Sequence, residues 1–142
     1  MNATSAAVAG ALTFLWVGMV SAISFLEAPL KFRAPGVTIP IGLGIGRKVF
    51  RALNHIEIVL ASAIAVTAAV GDPHVSIVVL ICVMAVLLTI QLGVVRRRLN
   101  RRSDRVLAGE ELPRSRGHMY YVAFEIAKVA VLVVLGVNLA AA

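Results

Sequence analysis

His118, Tyr121, Glu125 and Lys128 recur at i, i+3, i+7 and i+10 within one apolar run. On a helix this spacing makes a single stripe, because residues three, four and seven apart share a face. The other positions nearby are mostly Val, Ala, Leu and Ile. A carboxylate, an amine and a phenol on such a face are groups for proton transfer. The carboxylate takes and returns a proton, the amine tunes it, and the phenol steadies developing negative charge. A second reading stays open: Glu125 and Lys128, at i and i+3, neutralise each other as an internal ion pair.

Few other ionisable side chains lie in or beside apolar runs. They are Glu27, His55 and Glu57. Glu57 lies deeper in its apolar run than His55 and is expected to point inward, sharing its face with Asn54. His55 sits about 200° from Glu57 around an ideal helix, so the two cannot serve one compact site. Glu57, Glu125, Lys128 and Tyr121 are therefore the expected catalytic groups. Glu27, Asn54, Gln91 and Tyr120 are expected to contact a substrate. Glu27 also lies four residues before Lys31, a spacing for an interfacial salt bridge. His55 and His118 are acceptable ligands for zinc or iron, and either could be an axial ligand of haem. No metal-binding spacing accompanies them: Glu-x-x-His, His-Glu-x-x-His and paired cysteines are all missing from the sequence. The cofactor is left open, with metal or haem as alternatives.

Such groups need elements long enough to hold them. The chain has 142 residues, 60% hydrophobic, with a mean hydropathy of +0.93, too apolar for a water-soluble domain of this size. Four runs approach the ~20 residues a helix needs to cross the hydrocarbon core. Helices are expected at about 6–28, 45–70, 75–100 and 118–139 in one all-α membrane domain, because only helices satisfy the backbone internally there. The N-terminal stretch has no lysine or arginine before Lys31, so the first run is expected to be retained rather than cleaved as a signal peptide. Cys82 is the single cysteine, which excludes an intrachain disulfide.

Of the 14 basic residues, all but Lys128 fall in two hydrophilic stretches, Lys31 to Arg51 and Arg96 to Arg116. Short basic loops mark the cytoplasmic side. Gly71-Asp72-Pro73-His74 is a turn without basic residues and belongs on the other side. The expectation is an up-down-up-down four-helix bundle with both termini non-cytoplasmic. The net charge of +7 is confined to membrane-flanking loops, so its partner is anionic headgroups and not nucleic acid. Three prolines and several glycines between Pro29 and Gly46 are expected to prevent a continuous helix, leaving an interfacial or re-entrant segment. Ala and Gly faces on helices 1 and 2 suit close packing and a homo-oligomer.

The run Phe25-Leu26-Glu27-Ala28-Pro29-Leu30-Lys31-Phe32-Arg33, followed by Gly46-Arg47-Lys48-Val49-Phe50, resembles the transmembrane protein 205-like family of small four-helix membrane proteins. The likeness covers the first third of the chain. It implies the four-helix membrane fold and leaves activity open. The polar groups all fall toward the cytoplasmic half of the helices. That asymmetry points to an intramembrane enzyme-like site doing acid–base chemistry on a small lipophilic molecule in the plasma membrane. The alternatives are a proton- or cation-coupled transporter and an accessory or scaffold protein.

Overall fold

A computed structural model describes residues 1–109 and 117–142, apart from the side chains of Val95, Gly117, His118 and Met119. Every regular element among the described residues is helical. Four rods are long and apolar enough to cross a membrane. They are α1 (Ala3–Lys31), α2 (Ile39–Val70), α3 (Val75–Leu107) and α4 (Gly117–Ala141). At most 33% of the apolar stretch of any rod is buried inside the protein. Val59, Val66, Val79, Val86 and Ile126 are among the many large apolar side chains left on the outside. Water would not tolerate such a continuous apolar exterior, whereas lipid matches it.

α1 packs against α2 and α4, and α4 packs in turn against α3. The Asn2 N–H donates to the Gly71 carbonyl at 3.3 Å, so the start of α1 meets the end of α2. Gly10 of α1 faces Leu139 near the end of α4. Both termini and the 71–74 turn therefore share one end of the molecule, the terminal end. The loop after α1 and the charged tail of α3 share the other, basic end, where Arg47 pairs with Asp104. Asp72, at φ 55°, reverses the chain between α2 and α3. Gly109, at φ 92°, stops α3 with its N–H on the Val106 carbonyl at 3.0 Å, the left-handed stop that glycine favours.

Two expectations about the first connection are corrected. α2 begins at Ile39, not near residue 45. Thr38 caps it, its hydroxyl accepting from the Ile41 N–H, and Pro40 occupies the first turn, where no N–H is needed. The glycines then lie inside α2 and serve packing. A Cβ at Gly42 would run into the Phe32 ring, and one at Gly46 would meet Lys31 Nζ at 2.9 Å. The end of α1 thus lies in a groove of small residues on α2. The glycines at 10, 42 and 46 are used within the subunit, whereas Gly18 and Gly44 face open space.

The second correction concerns Pro29, which does not end α1. Residues Ser21–Glu27 are wound more widely, as a π-helix, and the Ala28 N–H reaches back five residues to the Ile23 carbonyl. Proline cannot donate and crowds the carbonyl four residues earlier. A wide turn just before it removes that conflict. α3 has its own wide segment, Gln91–Val95, after which the Arg96 N–H donates to the Gln91 carbonyl.

The main core fills the half of the bundle nearer the terminal end. Trp16, Ile64, Ile77, Leu132, Leu135 and Leu139 are all buried there. A smaller cluster of Phe50, Leu53 and Tyr121 lies toward the basic end. The polar groups sit between the two.

Candidate functional site

Lys128 is at the centre. Its Nζ is fully buried and lies 2.5 Å from Glu57 Oε2, 2.8 Å from Glu125 Oε1 and 2.7 Å from Gln91 Oε1. An ammonium has three donors, and here each has an acceptor. Gln91 completes a ring, its Nε2 donating to Glu125 Oε1. Trp16 Nε1 donates to Glu57 Oε2 at 2.8 Å, and the Ser24 hydroxyl donates to Glu125 Oε2 at 2.7 Å. All four rods contribute, and none can shift alone without breaking a charged contact. Helical rise puts Trp16, Glu57 and Lys128 each about 20 Å from the terminal end of its rod. Equal depth is what allows them to meet.

The two wide turns serve this cluster. Ser24 lies within the first and Gln91 opens the second. Both side chains bond the same carboxylate, one to each oxygen. A π turn shifts the angular phase of a helix and is frequent at functional sites.

Two carboxylates and one ammonium leave one formal negative charge. An uncompensated charge in a low-dielectric interior is expensive. Glu57 Oε1 is the one buried oxygen of the cluster without a hydrogen-bond partner.

Beside the cluster, on its basic-end side, is a cavity of about 430 Å³. Glu125, Ser24 and Tyr121 border it where it meets the cluster, and Phe25, Phe32, Leu43, Phe50, Leu99 and Val122 form apolar walls. Lys31, Arg47 and Arg96 line the rest with positive charge. Tyr121 is buried edge-on against Phe50, ring centroids 5.5 Å apart, and its hydroxyl has no partner among the described residues. The Arg96 guanidinium carbon lies 4.8 Å from the Phe50 centroid and 5.5 Å from that of Tyr121, within cation–π range.

The four expected catalytic residues therefore divide. Glu125 and Tyr121 line the cavity, whereas Glu57 and Lys128 are sealed behind Glu125 and reach it only through that carboxylate. Tyr121, Glu125 and Lys128 share a buried face, and Glu57 points inward, as their spacing predicts.

None of the four expected substrate contacts, Glu27, Asn54, Gln91 and Tyr120, lines the cavity. Gln91 belongs to the cluster. Glu27 pairs with Lys31 at 3.7 Å. Asn54 is half-buried. Tyr120 is 60% exposed on the outer face of α4, one position out of phase with Tyr121.

The structure does not bring His55 to the carboxylates: it is exposed, on the side of α2 away from Glu57. The side chain of His118 lies outside the described residues. Among those described, no three of His, Cys, Asp and Glu gather as metal ligands.

Trp16, Ser24 and Arg96 were not singled out by the sequence. Arg96 opens a run of three arginines and so reads as a loop charge, although the residue five positions earlier, Gln91, is already inside the bundle. Comparison with known protein families, with curated proteins and with solved structures returns no match to this chain.

Proposed function

We propose that this is an integral membrane protein whose cavity receives a small lipophilic molecule for acid–base chemistry at Glu125. In this reading the basic end faces the cytoplasm of the plasma membrane and the termini face the other side, in an up-down-up-down bundle, which the distribution of Lys and Arg supports. The observation that carries the reading is the junction of cavity and cluster. An apolar chamber of about 430 Å³, a usual size for a small-molecule pocket, ends on a carboxylate wired to a charge-imbalanced network. Beside that carboxylate a phenol hydroxyl has no partner.

In this mechanism Glu125 takes a proton from the bound molecule and returns it elsewhere. Lys128 touches both carboxylates, so charge gained on one is offset by adjustment at the other. Tyr121 donates to an oxygen that gains negative charge. Ser24 and Gln91 fix the Glu125 carboxylate in place, the preorganisation such a step needs.

The same acids and amine would suit a proton-coupled transporter. The burial of Leu132 and Leu139 between the cluster and the terminal end favours a pocket stopped on that side over a pathway. The inward direction of the stripe argues against a scaffold surface.

Deuterium exchange tests the proposal. Protein purified in nanodiscs with its co-purifying small molecules is incubated in D2O, and the extracted molecules are weighed by mass spectrometry. The wild type is expected to introduce deuterium into one of them. Glu125→Gln should hold the same molecule but exchange it about 100-fold more slowly or worse, the usual contribution of a general base. Equal exchange by both proteins would remove Glu125 from the chemistry.

A further inference from the structure

Arg96 is half-buried in the cavity wall and stacks on two aromatic rings. Among the described residues no carboxylate pairs with it. Arg47 differs, having Asp104. The second cation, Lys31, is nearly buried, with 10% of its side chain exposed, and its contact with Glu27 is long at 3.7 Å. Its Nζ lies 5.7 Å from the same Phe50 ring that Arg96 covers at 4.8 Å. Two cations thus flank one phenyl ring inside a mostly apolar chamber. Aromatic faces offset little of the cost of removing a guanidinium from water, whereas a carboxylate or phosphate offsets it through short charge-assisted hydrogen bonds.

Resting on the reading of the cavity as a ligand pocket, we infer that its ligand is an anionic amphiphile whose carboxylate or phosphate head sits between Arg96 and Lys31. The apolar body lies along Phe25, Phe32 and Val122. Charge sets the direction. Glu125 belongs to a cluster with surplus negative charge, so an anionic head is repelled from it and drawn to Arg96. The part of the ligand facing Glu125 and Tyr121 is then uncharged, as suits a group that gives up a proton. Arg96 and Lys31 are positioning residues for the proposed chemistry.

The test uses full-length protein in zwitterionic nanodiscs, with radiolabelled dodecanoate, dodecyl phosphate and dodecan-1-ol as probes. Equal chain length isolates the head. Dodecanoate or dodecyl phosphate is expected to bind the wild type about tenfold more tightly than dodecan-1-ol, the scale of one or two charge-assisted bonds. Arg96→Gln should erase that preference, and Arg96→Lys should keep part of it. Repeating the measurement with phosphatidylglycerol in the disc separates the natural sources. Competition identifies a phospholipid head, and its absence identifies a free amphiphile; either supports an anionic ligand.

Equal binding of alcohol and anions by the wild type would overturn the inference and leave the lipophilic pocket standing, without needing any variant to fold. Binding of none of the three probes would overturn pocket and inference together. A preference that survives in well-folded Arg96→Gln would remove Arg96 as the anion's partner. Anion binding at Arg96 alongside equal deuterium exchange by wild type and Glu125→Gln would sink the acid–base reading alone.

Discussion

The two ends of the α4 stripe are built differently. At Lys128 every donor has an acceptor, and Trp16, Glu57, Gln91 and Ser24 close around the charges. Nearly two turns away, the Tyr121 hydroxyl has no partner among the described residues and Arg96 rests on aromatic rings. A network whose donors are all met, with Glu57 Oε1 its one open oxygen, rigidifies and specifies a fold. Polar groups left open beside a chamber cost stability and are retained where something else completes them. The contrast separates residues that hold the bundle from residues that meet a ligand, although both lie on one face of one helix.

The contrast can be broken by substitution, most severely at its centre. Lys128→Met would leave two carboxylates facing each other without a counter-charge. It is expected to cost about 3–5 kcal/mol, read as a lower midpoint in detergent-titration unfolding. A mild effect would mean that the network is not structural. Trp16→Phe keeps an aromatic ring in the core but removes the donor to Glu57 Oε2 at 2.8 Å. About 1.5–3 kcal/mol is expected, as for other hydrogen bonds to charged groups. Tyr121→Phe removes a hydroxyl that bonds nothing. Its effect on stability should stay within about 0.5 kcal/mol, while deuterium exchange into the bound molecule slows. A large stability loss at Tyr121, or unchanged exchange, would erase the distinction between the two ends.

Periodicity made part of this legible in the sequence. Tyr121, Glu125 and Lys128 lie on a regular α-helix, so their spacing predicts a shared face and the structure has one. The opposite directions of His55 and Glu57 follow from the same geometry. Legibility fails where the winding changes. Ser24 and Arg96 reach the site through wide turns, whose phase no 3.6-residue template reproduces. It fails also where residue preferences drawn from water are applied to close packing. Gly42 and Gly46 weaken an isolated helix, but here they make room for Phe32 and Lys31. The placement of Tyr120 outside and Tyr121 inside was settled by a single residue of phase.

The wide turns in α1 and α3 have a consequence for how this chain tolerates change. Each is in effect a one-residue insertion that offsets the rod beyond it from the rod before it. Removing a single residue there would restore regular winding and rotate Lys31, or Arg96 and Asn100, by about 100° away from the chamber, while every side chain kept its identity. Between Ser21 and Glu27, and between Gln91 and Val95, chain length is therefore as much a determinant of binding as chemistry. A gap of one residue in a relative at either place would mark a protein with the same helices and a different pocket.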